Sequence, residues 1–301
     1  MNNIERKKLA YFGGSPVRKK PMPSRRAISL DEKNYINEVL DYYIKKDEDP
    51  PYDGFFQKKF EKFFCKRMGG GYCCAVSSGS VACYIGVRSL KLPRSSEVIL
   101  SPVTDSGSLF AITECGLKPV IIDSCKDTYN TSWKEIKKGI TKKTSALFLV
   151  HCSGNALHMN EIVREASKLG IKVIEDCSQA PFARDSKKGL LVGTFGDVSV
   201  YSTMYRKNLQ TGGSGGIVFT KKYSIYKKIV EESDRGRPKW SKRYNSRNPG
   251  QAVNSALNYN TDEISCAIGI KSLKKINKTI AKRLSFVNGL SKKMKKEKLI
   301  F

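Results

Sequence analysis

Tyr201-Ser202-Thr203-Met204-Tyr205-Arg206-Lys207-Asn208-Leu209-Gln210-Thr211-Gly212-Gly213-Ser214-Gly215-Gly216 is the stretch on which the fold of this 301-residue chain turns. It reads as the end of a short strand, a lysine, and a glycine-rich turn that leads into a second strand over 217–220. The glycine run is not a phosphate-binding P-loop, because no Gly-Lys-Ser/Thr closes it. Nor is it a dinucleotide fingerprint, because no helix follows it. A tight turn that lets the backbone pass close to a ligand is the reading that fits.

Working outward, the pattern alternates between short apolar runs and longer amphipathic ones. Strands are expected at 73–76, 98–100, 119–122, 146–150, 172–175, 198–202 and 216–219. Helices are expected at about 80–90, 106–114, 133–140, 159–169 and 224–234. Strands separated by helices of about ten residues make crossover units, so the sheet should be mainly parallel and covered on both faces. Before this core lie a helix over about 31–44 and an aromatic-rich helix over about 54–64 carrying Phe55, Phe56, Phe60, Phe63 and Phe64, a stripe that reads as core. After it come a polar, basic loop (237–252) and a long helical region from 262 to about 296. The expected organisation is an approach segment (1–50), a large α/β domain (51–240), and the loop and helical start of a small, incomplete C-terminal domain (241–301).

Ligands in such sheets bind beyond the carboxyl ends of the strands. Three groups fall there: Ser78-Gly79-Ser80, Asp176 in Val173-Ile174-Glu175-Asp176-Cys177-Ser178-Gln179-Ala180, and Ser202 to Lys207. A lysine and a strand-end aspartate converging on one cleft are what pyridoxal phosphate chemistry requires. The lysine forms a Schiff base with the aldehyde, and the aspartate keeps the ring nitrogen protonated so that the ring withdraws electrons. Ser78-Gly79-Ser80 opens a helix, whose free N–H groups and positive dipole end suit a phosphate. An N-cap serine with a structural role alone is the competing reading of Ser78.

Composition sets the remaining bounds. Forty per cent hydrophobic and 28% charged residues place the chain among soluble globular proteins. Its apolar runs are too short to span a bilayer, and the first residues do not read as a secretory leader. A cytoplasmic protein is expected. Nine cysteines without a CxxC pair read as reduced thiols rather than a disulfide framework or a metal site, and no metal is expected. The net charge of +27 invites a nucleic-acid reading. However, 261–301 holds eleven Lys/Arg against three Asp/Glu, so only +8 of it lies there and the rest is spread along the chain. With no helix-turn-helix or zinc-knuckle pattern, no specific nucleic-acid partner is expected.

In this order, the motifs resemble those of the DegT/DnrJ/StrS-type pyridoxal-phosphate sugar aminotransferases, enzymes of fold type I. The strings that carry the resemblance are Gly13-Gly14-Ser15-Pro16, Ser78-Gly79-Ser80-Val81-Ala82, Lys118-Pro119-Val120-Ile121-Ile122-Asp123, Val150-His151 with Gly154-Asn155, the Asp176 and Lys207 strings, and Leu257-Asn258-Tyr259-Asn260. The resemblance implies a homodimer with shared sites, in which Asn258 reaches the neighbour's cofactor phosphate. It implies Gln179 beside the cofactor ring and Ser202 on the phosphate. It also implies transfer of an amino group from glutamate or glutamine to a keto-sugar, nucleotide-linked, in polysaccharide or amino-sugar biosynthesis. The alternatives are a non-catalytic or truncated descendant that binds a partner, and a sugar dehydratase on the same scaffold, against which Lys207 argues.

Three departures accompany the resemblance. Many relatives place a stacking aromatic where Pro102-Val103-Thr104-Asp105 has Asp105, which leaves the stacking partner open and offers Asp105 for recognition of substrate or donor instead. Many carry an acid between the glycines where this chain has Gly213-Ser214, and relatives usually continue past the point where this chain stops.

Overall fold

The structure, a computed structural model, describes residues 9–21, 28–185 and 189–297. Residues 1–8, read above for a leader, 22–27 of the expected approach segment, 186–188 of the expected large domain, and the last four residues of the expected C-terminal segment lie outside that description. Seven strands form one sheet: β1 (Tyr72–Val76), β2 (Glu97–Leu100), β3 (Lys118–Ile121), β4 (Thr144–Val150), β5 (Lys172–Asp176), β6 (Val198–Ser202) and β7 (Gly216–Thr220). Their spatial order is β1-β7-β6-β5-β4-β2-β3. Neighbours from β6 through β5, β4 and β2 to β3 are parallel, whereas β7 runs antiparallel to both β6 and β1. The reason lies in the connection. Only 203–215 joins β6 to β7, with no helix, and a parallel pairing needs a crossover.

Among the described residues eight α-helices flank the sheet: α1 (Leu30–Lys46), α2 (Phe55–Arg67), α3 (Gly79–Ser89), α4 (Ser106–Thr113), α5 (Trp133–Lys138), α6 (Met159–Lys168), α7 (Tyr223–Ser233) and α8 (Glu263–Lys296). Successive strand residues face opposite sides. Val218 therefore joins Val76, Ile85, Phe148 and Ile174 beneath α3, α4 and α7, while Ile217 and Phe219 join Tyr43, Phe60, Phe64 and Ile270 beneath α1, α2 and α8. A third cluster, with Ile136, Leu147, Leu149 and Ile162, seats α5 and α6 on the same side as α1, α2 and α8. The sheet is thus covered on both faces, as the alternation requires.

The aromatic stripe of α2 is core. Phe56, Phe60 and Phe64 recur at one-turn spacing and are buried, each worth about 1.5–3 kcal/mol of hydrophobic stabilisation, while Phe55 lies outside the seam and is exposed. α1 starts at a capping box in which Ser29 and Glu32 satisfy each other's free groups. α2 starts at Gly54, which has no side chain to cap with; a Cβ there would lie 2.6 Å from the Glu263 Cδ. Glu263, in the first turn of α8, fills that space. Its carboxylate accepts from Phe56 N (2.8 Å), Gln57 N (2.7 Å) and the Tyr43 hydroxyl (2.5 Å). An acid from one helix thereby caps another at its positive end. Among the described residues no helix is long and apolar enough to cross a membrane.

Candidate active site

The carboxyl ends of β1, β5 and β6 meet the start of α3. Ser78 is the N-cap of α3, its Oγ accepting from Val81 N at 3.2 Å, so part of its hydrogen-bonding capacity serves the helix itself. The next N–H groups, those of Gly79 and Ser80, have no partner inside the helix and face outward. A Cβ on Gly79 would fall 2.5 Å from the Ser202 Cβ and 2.7 Å from its Oγ. The glycine therefore lets the helix N-terminus touch the end of β6, and the Ser202 hydroxyl lies against it. Gly216 serves the same approach from β7, since a Cβ there would lie 2.3 Å from the Ser78 carbonyl oxygen. Ser80 Oγ faces Gly107 in the first turn of α4. Two helix starts and two serine hydroxyls thus converge in one spot, a donor set suited to a dianionic phosphate.

Asp176 ends β5 and is 5% exposed. Its Oδ1 accepts from Ser178 N at 2.9 Å and its Oδ2 from Ser108 Oγ at 3.3 Å, leaving lone pairs for a further donor. Thr104 Oγ1 donates to Ser108 Oγ (2.9 Å), and Ser202 N donates to Ser178 Oγ (2.8 Å), so short chains of hydrogen bonds tie Asp176 to α4 and to the end of β6. Ser108 and Ser178 were not singled out by the sequence. The signals for them were faint: Ser108 sits four residues after Thr104, and Ser178 two residues after the aspartate, the spacing of an Asx turn. Burial first, and then the charge of Asp176, push the Cys83 thiol of α3 well above its usual range, while Lys207 pulls it down. Cys83 thus lies within electrostatic reach of both residues.

Lys207 lies in the loop after β6, half-buried, its N–H donating to the Met204 carbonyl at 2.9 Å. The loop is held at its base. Thr203 N donates to Gly215 O (2.8 Å), Thr211 N to Thr203 O (2.9 Å), and the two threonine hydroxyls share a 2.9 Å bond. Ser214 donates from its hydroxyl to Ser77 O at 2.8 Å and so fastens the glycine turn to the residue that precedes the N-cap of α3. Lys207 and Gln179 line one cavity of about 660 Å³. Gln179 Oε1 accepts from Ser153 N at 2.6 Å, which orients the amide between the ends of β4 and β5.

Glu175 points to the face opposite Asp176. Its carboxylate accepts from Gly193 N (2.8 Å), Phe195 N (2.8 Å), Gly196 N (2.7 Å) and His151 Nε2 (3.2 Å). Leu157 N donates to His151 Nδ1 at 3.1 Å, which assigns the ring proton to Nε2. His151, Glu175 and Cys177 lie close enough together to suggest a cation site. The imidazole and the carboxylate are already engaged by these donors, and the cluster is a structural hub instead.

Asp105, the position expected to lack a stacking aromatic, is the N-cap of α4; its Oδ1 accepts from Gly107 N at 2.8 Å. Asn258 is exposed, and its carboxamide oxygen accepts from Asn260 N and Nδ2. The following residues pair with the end of β1: Ser77 N donates to Tyr259 O at 3.0 Å, and Val76 bridges Asn260. Asn258 therefore sits at the cradle end of β1 in its own chain.

Pyridoxal phosphate passes the test of fit: a helix start that any Cβ at 79 would fill, a strand-end carboxylate with spare lone pairs, and a lysine in the loop that follows β6. The comparisons agree. The sequence is 34% identical over 205 residues to GDP-perosamine synthase of Escherichia coli O157:H7, covering 68% of this chain and 54% of that protein. The fold superposes on NtdA of Bacillus subtilis with its bound PMP cofactor (TM-score 0.74, 26% identity, 91% of this chain, 60% of that one). It also superposes on GDP-4-keto-6-deoxymannose-3-dehydratase holding a trapped PLP-glutamate geminal diamine (TM-score 0.75, 25% identity, 86% and 69%). The chain spans between about half and two thirds of the length of the first curated relatives it matches. The DegT/DnrJ/EryC1/StrS aminotransferase family pattern matches residues 34–300, and the chain belongs to that family.

Proposed function

We propose that this chain binds pyridoxal phosphate through Lys207 and acts as an aminotransferase, moving an amino group from glutamate or glutamine to a nucleotide-linked keto-sugar. The observation that carries the reading is the convergence of a phosphate cradle (Gly79, Ser80, Ser202), a ring-nitrogen partner (Asp176) and a lysine (Lys207) at the carboxyl ends of one sheet. When bound, the cofactor supplies an electron sink for cleavage of a bond at the substrate carbon. Gly79 N–H, Ser80 and Ser202 hold the phosphate. Asp176, kept in place by Ser108 and Ser178, accepts the ring N–H. Lys207 carries the cofactor at rest and, once its amine is released, moves a proton between the donor carbon and the cofactor. Gln179, which lines the Lys207 cavity, would lie beside the cofactor ring. A lysine at 207 favours amino transfer over dehydration.

The test is the visible spectrum with added pyridoxal phosphate, followed by borohydride reduction and peptide mapping. A pyridoxyl group on Lys207 is expected; a label on another lysine, or none, rejects the assignment. A homodimer with shared sites belongs to the same reading, with Asn258 donating from its amide to the neighbour's phosphate. Inactive Lys207→Ala and Asn258→Ala chains, once mixed and exchanged, should regain activity, because one site of each hybrid carries neither lesion. A protein that sediments only as a monomer removes the shared site.

A further inference from the structure

The Lys207 cavity contains more cations than a cofactor lysine explains. Its walls come from 178–183 after β5, from 204–208 after β6, and from one face of α8. Arg206 enters from the second wall and Arg283 from the third. Among the described residues no Asp or Glu lines the cavity; Ile280, Leu284 and Val287 make the rest of the α8 wall apolar, and Phe182 adds to it from the first wall. A second cavity, of about 650 Å³, shares Asn208, Arg283 and Val287 with the first and adds Lys275 and Lys282. Its one acid, Glu32, is 1% exposed and already accepts from Ser29 Oγ (2.5 Å) and Lys275 Nζ (2.9 Å). Between the two chambers the Asn208 carboxamide oxygen is buried and takes no hydrogen bond from the protein.

A chain with a net charge of +27 places cations on most surfaces, so basic lining alone would mean little. Two features set this place apart. Arginines from elements distant in sequence converge over an apolar wall with no carboxylate to neutralise them. A buried acceptor between them still needs a donor. Guanidinium forks pair with phosphate or carboxylate oxygens through two parallel N–H···O bonds. The unmet acceptor suits a hydroxyl.

We propose that Arg206 and Arg283 form an anion clamp at the Lys207 cavity, taking a dianionic group that arrives with a reactant, while Asn208 accepts a hydrogen bond from a hydroxyl of that ligand. The chemistry has two sources, the diphosphate of a nucleotide-linked sugar or the paired carboxylates of a glutamate-like donor. The inference rests on the aminotransferase reading only in naming those sources. Arg206, whose guanidinium also lies over the Tyr205 ring at 5.3 Å, and Arg283 are both exposed, so Arg206→Gln and Arg283→Gln leave the core intact.

The experiment is calorimetric titration of the full chain, saturated with pyridoxal phosphate so that the cradle is filled, using inorganic pyrophosphate in one arm and glutarate in the other. Lys142→Gln, at an exposed lysine outside both cavities, is the control. The clamp predicts that each arginine substitution weakens one probe about tenfold or more, in line with loss of a charge-assisted pair, and that the control does not. Dependence on the arginines in the pyrophosphate arm assigns the diphosphate; dependence in the glutarate arm assigns the donor. No binding of either probe, or binding that the arginine variants and the control alter equally, overturns the clamp. The cofactor's own spectrum, read in the same cell, reports on the aminotransferase reading separately.

Discussion

Replacing Glu175 by glutamine tests whether the hub behind the active site holds the sheet together. The change is isosteric. Four donors converge on the Glu175 carboxylate, three of them backbone N–H groups of 193–196 just before β6 and the fourth the His151 imidazole at the end of β4. A glutamine keeps one acceptor oxygen and turns two hydrogens toward the remaining donors. Whichever way the amide is oriented, two hydrogen bonds are lost and two buried donors are left unpaired. At about 1.5–3 kcal/mol for each bond to a charged acceptor, the loss is about 3–6 kcal/mol. Domains of this kind have about 5–15 kcal/mol in total, so the variant should be marginal at room temperature. Urea unfolding followed by circular dichroism is the assay, with the midpoint shifting and the slope unchanged. A loss below about 1 kcal/mol would falsify the claim that these donors depend on the charge of Glu175.

Other outcomes follow from the same geometry. Asp176→Asn should keep a melting temperature close to wild type but lower amino transfer by roughly a hundredfold, because an amide cannot keep the ring nitrogen protonated; activity within a few-fold of wild type makes Asp176 structural. Gly79→Ala forces a methyl into Ser202 and should cost about 1–3 kcal/mol of stability while weakening cofactor binding in an absorbance titration; wild-type affinity refutes the cradle. Burial pushes the Glu61 carboxyl up from 4.5 to about 7. Between those values the folded chain holds a proton that the unfolded chain has released, so stability falls as pH rises, by on the order of 3 kcal/mol, and levels off above about pH 7. Glu61→Gln should remove that fall when urea stability is compared at about pH 5 and about pH 8; an unchanged slope places the titration elsewhere.

All seven strands were legible because each is a short β-branched or apolar run bounded by turn residues, and seven such runs fix a layered sheet before any contact is known. The reversed direction of β7 was not read from the sequence, which led only to a mainly parallel sheet, although the missing helix between 202 and 216 carries it. Lys207 and Asp176 stood out because unusual neighbours, a glycine run and a strand end, mark them. The residues that hold them did not. Ser108 looks like any polar residue on a short helix, and its bond to Asp176 depends on how α4 sits against β5. Glu175 and Asp176 are adjacent acids, and only the pleat tells which faces Ser108 and which faces 193–196. Asp105 read as a vacancy in the ring stack, yet Asp followed two residues later by Gly is also the pattern of a helix start, and the structure uses it so.

The seating of α8 has a further consequence. Glu263 fixes the helix to the start of α2, and Lys275, bonded to Asp31 and Glu32 at 2.9 Å each, fixes it again to α1. At 1.5 Å per residue the two fixed points are about 18 Å apart, and Arg283 stands about 12 Å beyond the second. α8 therefore behaves as a lever. A displacement of about 1 Å at Glu263, pivoting on Lys275, swings Arg283 by about 0.7 Å, on the scale of the tolerance of a binding site. If Arg283 holds a reactant as proposed, substitutions at Gly54 or Tyr43, which line neither cavity, would reach that site through the helix. The chain could thus drift in selectivity through its scaffold while Lys207, Asp176 and Ser202 stay as they are.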